Sequence, residues 1–237
     1  MKSEFINVAS HELRTPIQPI LGLSVILRPK IQDKQQREYL DIVIRNAKRL
    51  LRLTEAILDV TKIESKSLMI KKERFDLKEK IQNVINDIAS QTGDNPNVKI
   101  SFIEPKDPIY VEADKSRLYQ VISNILTNAI KFTKEGTISV TAEKKDHNSV
   151  VVGIKDNGPG IDPIVMQQLF TNFTTKSPSN DTQTGTGLGL YICKSIVEAH
   201  GGMIWAENKE SSRSGDNSDA ERRGGATFYF SIPTIVN

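Results

Sequence analysis

The chain has too little cysteine and histidine for a disulfide scaffold or a zinc site. Its one cysteine, Cys193, excludes an intramolecular disulfide framework and any Cys-rich metal site. The three histidines, His11, His147 and His200, are scattered and form no zinc-type cluster. Long apolar runs are also missing; the longest fall far short of the roughly 20 residues of a membrane span. No signal-peptide pattern precedes the first helical segment. Charge of one sign is not in excess: 32 basic and 29 acidic residues are interspersed and give a net charge of +3, so nucleic acid is not the indicated partner. No Walker lysine pattern occurs anywhere.

What remains is a chain of 237 residues, long enough for two domains. It opens inside a helical pattern, at Lys2-Ser3-Glu4-Phe5, so the expectation is a piece of a longer protein. Residues Phe5, Val8, Ala9, Leu13, Ile17, Ile20 and Leu21 recur near helical spacing and predict a helix from Glu4 to about Leu27. Pro16 and Pro19 should interrupt and bend it, because proline removes a backbone donor and clashes with the preceding turn. Arg28-Pro29 ends it, and Asp33 caps a second helix running to about Ser65. So short a turn makes the pair an antiparallel hairpin. Two helices cannot bury two wide apolar stripes between themselves, so the expectation is a homodimer closed as a four-helix bundle. Packing of the hairpin on the rest of its own chain is the alternative.

After Ser65 the periodicity changes. Residues 67–75 read as a connecting segment with a short strand, and 76–237 as an α+β domain of one mixed sheet with helices on one face. Its helices are predicted from Asp76, from Asp114 to about Phe132, after Asp162-Pro163, and from Leu188 to about His200. Its strands are predicted at Val98–Phe102, Ile109–Val111, Thr137–Ala142, Val150–Asp156, Met203–Glu207 and Ala226–Ile232. The aperiodic stretch 171–187 and the small, charged stretch 209–224 read as loops.

Four short motifs carry chemistry. In Ser10-His11-Glu12-Leu13-Arg14-Thr15-Pro16, a neutral imidazole can act as a nucleophile, and the adjacent carboxylate can orient it or take its proton. Thr15 lies four residues on, on the same helix face. Taken alone, His11 is an exposed histidine beside a charge, and such residues are usually inert. In Asn124-Ile125-Leu126-Thr127-Asn128-Ala129-Ile130-Lys131, the two asparagines and Lys131 share one face. An asparagine oxygen suits Mg²⁺ and a lysine suits phosphate, whereas asparagine is a poor choice for an idle polar face. In Asp156-Asn157-Gly158-Pro159-Gly160-Ile161, an acid at a strand end precedes two glycines that would let the backbone approach a flat ligand. An ordinary glycine-proline turn fits these six residues as well. Gly185-Thr186-Gly187-Leu188-Gly189-Leu190 enters a helix, whose first N–H groups favour anions. Its glycine spacing is not that of a dinucleotide-binding turn.

In this order, the four motifs resemble the transmitter core of sensor histidine kinases. Phe5 to Pro16 looks like that family's H box, Asn124 to Lys131 its N box, Asp156 to Ile161 its G1 box, Phe170 to Phe173 its F box and Gly185 to Gly189 its G2 box. The resemblance implies a dimerisation and phosphotransfer hairpin over 1–66 and a catalytic domain over 76–237 with the ATP-binding fold of gyrase, Hsp90 and MutL. It implies ATP and Mg²⁺ as cofactors, autophosphorylation of His11 with help from Glu12, and transfer to an aspartate of a response regulator. Asn128 would ligate Mg²⁺ with Asn124 and Lys131 nearby. Asp156 would read the adenine amine beside Gly158 and Gly160, with Thr227 joining it through water. Thr186, Gly187, Leu188 and Gly189 would cradle phosphates, and Lys176 would sit near the γ-phosphate. Glu12 and Thr15 also match a phosphatase pattern of the family.

Related ATPases carry a water-activating glutamate four residues before the Mg²⁺ asparagine. Here that position is Asn124, which cannot remove a proton. The alternatives are a gyrase-like ATPase clamp or an inactive dimeric scaffold. The resemblance implies a cytoplasmic location, with a membrane involved only if an upstream region anchors the chain.

Overall fold

The computed structural model describes residues 2–92, 97–146, 148–172, 186–209 and 224–234. The chain divides into two compact units, Met1–Leu68 and Met69–Asn237.

The first unit is a helical hairpin, α1 (Lys2–Leu27) and α2 (Lys34–Glu64), joined through a 3-10 turn at Arg28–Lys30. The Asp33 side chain accepts from Gln36 N at 2.8 Å and caps α2, as expected of a carboxylate at that position. Arg28 and Asp41 form a two-point ion pair at the turn, and the Arg37 guanidinium donates to Ile31 O. The expected interruption at the two prolines is absent: α1 is helical through Pro16 and Pro19. Each proline forfeits one intrahelical bond, but α1 packs along α2, which outweighs the missing donors.

The core of this hairpin is thin. Among its described residues only Ile17 and Ala47 are buried apolar side chains, while Leu13, Ile20, Leu23, Ile42, Val43, Leu50 and Ile57 are exposed.

The second unit begins with β1 (Glu73–Asp76) and α3 (Leu77–Thr92), followed by β2 (Val98–Ile103), β3 (Tyr110–Ala113) and α4 (Lys115–Phe132). Next come β4 (Gly136–Asp146), β5 (Ser149–Lys155), α5 (Pro163–Gln167), α6 (Gly189–Ala199), β6 (Ile204–Asn208) and β7 (Ala226–Pro233). Five strands form a mixed sheet in the order β2-β4-β5-β7-β6, with β2 and β4 parallel and the other pairs antiparallel. The single sheet expected from the sequence is corrected here. Strand β3 leaves the main sheet and pairs antiparallel with β1 in a separate two-stranded ribbon.

Strand β7 shows how the sheet is built. Ala226, Phe228, Phe230 and Ile232 face inward and are buried, while Thr227, Tyr229 and Ser231 face outward. Leu118, Val121, Ile122, Ile125, Leu126 and Ala129 of α4 are buried in the same core, together with Ile192, Ile196 and Val197 of α6. The outer face carries stacked Trp205 and Tyr229, whose ring centroids are 5.2 Å apart.

One buried polar junction fixes the ends of both helices. Asp114 accepts from Ser116 N and Arg117 N as the α4 cap, and its other oxygen accepts from Lys71 N at 2.9 Å. His200, at the end of α6, accepts from Asp114 N at Nε2 (2.9 Å), so its Nδ1–H donates to Ile196 O (2.8 Å). Both ring nitrogens are used, which assigns His200 to the fold rather than to chemistry.

Candidate nucleotide site

Helix α4 positions the site. Its apolar face is buried, which leaves Asn124 and Asn128 half-buried on its flank and Lys131 exposed one turn later. The other two described motifs close onto this flank from opposite ends. At the first end, the α6 glycine Gly189 abuts Asn124: a Cβ there would lie 3.8 Å from the Asn124 carboxamide. Asn124 Nδ2 also donates to Cys193 Sγ at 3.7 Å, so the amide is tied to α6. At the other end, Gly158 is pressed against the last turn of α4, where a Cβ would meet Phe132 O at 2.9 Å. From Asn124 to Phe132 is about 12 Å of helix. Three motifs far apart in sequence therefore share one flank.

Asp156 sits at the end of β5, buried, on the inward side of the sheet. Its Oδ1 accepts from Gly158 N (2.8 Å) and from Ala226 N (3.1 Å), and its own N–H donates to Ala226 O (2.8 Å). One carboxylate oxygen is thus held by two backbone donors, and none of the described residues hydrogen-bonds the other. A carboxylate with one oxygen locked and the other available is a fixed acceptor for an exocyclic amine. Asp156 also lines a cavity of about 410 Å³ with Glu135, Gly136, Asn157, Lys209 and Gly225.

Gly225 shows how tightly this seam closes. A Cβ there would lie 2.2 Å from Asp156 O, and its φ of +52° is in the left-handed region. Its N–H donates to Gly158 O at 3.0 Å. Sequence reasoning missed Gly225 and Ala226, because their contribution is backbone approach rather than side-chain chemistry.

Thr227 is a correction. The strand alternation turns it to the outer face, where it lines a separate groove of about 360 Å³ with Lys155, Glu207 and Tyr229. Its inward neighbour Ala226 is the residue beside Asp156, so Thr227 does not join that carboxylate.

On the glycine-rich side, Thr186 Oγ1 accepts from Leu188 N at 3.3 Å, Gly187 has φ +70°, and Leu188 is buried ahead of α6. Lys131 Nζ lies 5.0 Å from the Phe132 ring centroid. Lys176 and Gly185 lie outside the described residues. In the hairpin, His11 is on α1 and its side chain is likewise outside them; Glu12 and Thr15 are exposed.

The site residues fit a bound nucleotide: the glycines leave room along α4, and Asp156 is held as a fixed acceptor. They also fit Mg²⁺, because Asn128 presents a carboxamide that no described residue hydrogen-bonds, one turn from Asn124.

Two family models match the chain. Residues 1–66 match the His Kinase A (phospho-acceptor) domain, and residues 113–235 match the histidine kinase-, DNA gyrase B- and HSP90-like ATPase family. The chain belongs to this ATPase family, and with the phospho-acceptor domain it is a sensor histidine kinase transmitter core. It is 38% identical over 240 residues to the sensor protein KdpD of Clostridium acetobutylicum, covering 98% of this chain and 25% of that protein. It is 33% identical to the sensor protein GacS of Pseudomonas syringae pv. syringae, covering 88% of this chain and 24% of that protein. The chain therefore spans about a quarter of the length of these curated relatives. Among solved structures, full-length ShkA in complex with AMPPNP is similar with a TM-score of 0.74 and 26% identity, over 99% of this chain and 46% of that one. Histidine kinase ThkA in complex with the response regulator TrrA is similar with a TM-score of 0.59 and 28% identity, over 98% of this chain and 61% of that one.

Proposed function

We propose that the chain is an ATP:protein-histidine phosphotransferase that phosphorylates His11 and passes the group to an aspartate of a response regulator. The observation that carries this reading is the Asp156 carboxylate, locked at Oδ1 by Gly158 N and Ala226 N at the buried end of β5. It reads the adenine amine with its other oxygen. Gly158 and Gly160 give the base access, and the backbone from Thr186 to Gly189 cradles the phosphates at the start of α6. Asn128 holds Mg²⁺, which supplies charge neutralisation on the phosphates; Asn124 and Lys131 support that end, with Lys176 near the γ-phosphate.

In the transfer step a ring nitrogen of His11 forms the new bond to the γ-phosphorus. The bond from that phosphorus to the β,γ-bridging oxygen breaks, and ADP leaves with the electron pair. Glu12 takes the ring proton. The reading as a kinase rather than an ATPase rests on Asn124. Its carboxamide is tied to Cys193 and cannot deprotonate water. The acceptor must therefore come from outside the ATP-binding domain, and His11 is that acceptor.

The exposed apolar residues of both hairpin helices support a homodimer closed as a four-helix bundle. The likeness to ThkA in complex with TrrA supports a response regulator as partner. Glu12 and Thr15 fit an additional phosphatase activity toward that partner. Among the described residues no helix is long and apolar enough to cross a membrane. For the whole protein we place this core on the cytoplasmic side, with any membrane anchor upstream of it.

Incubation with γ-labelled ATP tests the reading. Acid-labile label on the protein is expected, and it should be lost in His11→Gln and in Asn128→Asp. Release of free phosphate without labelled protein would make the chain an ATPase, and no turnover at all would make it a scaffold. Loss of phosphatase activity in Thr15→Ala, with autophosphorylation kept, tests the second activity.

A further inference from the structure

The loop after β5 is held from a residue outside all four motifs. Asn208, the last residue of β6, donates from Nδ2 to Ile161 O at 2.7 Å and accepts at Oδ1 from Ile161 N at 2.8 Å. A side chain here reproduces the paired exchange that two opposed residues make in an antiparallel ladder. With both ends of the carboxamide engaged, the loop cannot slide without breaking two bonds at once.

Gly160 belongs to the same arrangement. A Cβ on it would lie 3.2 Å from Asn208 Oδ1, and its φ is +79°. The loop is thus fixed at three points: Gly158 N on Asp156 Oδ1, Gly225 N on Gly158 O, and Ile161 on Asn208. Of these, only Asn208 is a side chain from a separate element. The following residue, Lys209, donates from its N–H to Gly225 O at 3.1 Å, so one short stretch holds both the loop and the β7 edge of the Asp156 seam.

We infer that Asn208 is a positioning residue for the nucleotide. Its clamp on Ile161 sets the Gly158–Gly160 backbone against the base and so keeps the Asp156 carboxylate selective for an adenine amine over a guanine carbonyl. The inference rests on the reading of Asp156 given above. A loosened loop could shift away from the guanine oxygen, which a rigid one cannot.

The test uses the whole chain and compares autophosphorylation with ATP and with GTP. For Asn208→Ala, the KM for ATP should rise about tenfold, roughly the cost of two net hydrogen bonds at an exposed site, with kcat within about twofold. The ATP-over-GTP ratio of kcat/KM should fall by about the same factor. Asn208→Asp keeps the acceptor for Ile161 N and loses the donor; it should shift both quantities the same way, and it carries the test if the alanine chain does not fold. Unchanged KM and selectivity would overturn the inference. A raised KM with an unchanged ATP-over-GTP ratio would also overturn it, since a merely structural residue gives that result. Asp156→Asn separates the two levels. If that variant turns over ATP like the parent, the reading of Asp156 fails. If it loses ATP while Asn208→Ala behaves like the parent, only the role of Asn208 fails.

Discussion

At the scale of single residues, the second unit has two kinds of polar group, and burial alone does not separate them. Asp156 and His200 are both buried. His200 spends both nitrogens on the backbone, at Asp114 N and Ile196 O, while Asp156 spends one oxygen and keeps the other. The first pattern is structural, and the second supports the binding role proposed for Asp156. His200 has a consequence in pH. Burial pushes its pKa below the ordinary value; the bond to Ile196 O and the Asp114 charge act upward, and Lys72 acts downward. The folded state therefore takes up its proton later than the unfolded chain as pH falls. The stabilisation is complete above the unfolded pKa of about 6.5 and is lost as pH falls below it towards the folded value. Urea unfolding of the parent at a series of pH values should show this loss setting in as pH falls below about 6.5. The slope should flatten in His200→Gln over the same range.

At the scale of elements, two capping aspartates do unequal amounts of stabilisation. Asp33 makes one bond, to Gln36 N, at an exposed helix start. Asp114 takes three backbone N–H groups, those of Ser116, Arg117 and Lys71, and its own N–H is bonded to His200. Burial alone would raise the Asp114 pKa, but the N–H groups of Lys71, Arg117 and Ser116 with the Arg117 charge outweigh it and hold the carboxyl below its usual range. Asp33→Ala should cost about 1 kcal/mol, and Asp114→Ala about 2–3 kcal/mol because buried donors are left unpaired. Equilibrium denaturation checks both. Because its folded pKa is depressed, Asp114 contributes above the usual carboxylate range and loses that contribution as pH falls through the folded value.

At the scale of the whole molecule, a single hairpin leaves much of its apolar surface exposed, which supports the homodimer proposed above. Its buried apolar core among the described residues is Ile17 and Ala47, while Val43, Leu50 and Ile57 of α2 lie exposed. A charge at Val43 or Leu50 should therefore shift the chain from dimer to monomer. Sedimentation at micromolar concentration would read this for Val43→Glu or Leu50→Lys. Nucleotide affinity should stay within about twofold, since both positions lie in the hairpin unit rather than the unit carrying Asp156.

By itself the sequence determined what depends on local pattern. Helical periodicity and Asp33 marked the hairpin, alternation marked the strands of the central sheet, and the order of four short motifs marked the nucleotide chemistry. It also carries the orientation of Thr227. The alternation of Ala226-Thr227-Phe228-Tyr229-Phe230 already puts Thr227 opposite the core-facing phenylalanines, away from Asp156. Only the tertiary structure decided which distant backbones meet. Strand β3 pairs with β1 outside the main sheet, Gly225 closes on Asp156, and Asn208 clamps Ile161 from 47 residues away. Such contacts leave little trace in sequence, because a backbone N–H looks the same at every position. Which donor reaches which acceptor is fixed by the packing of the sheet.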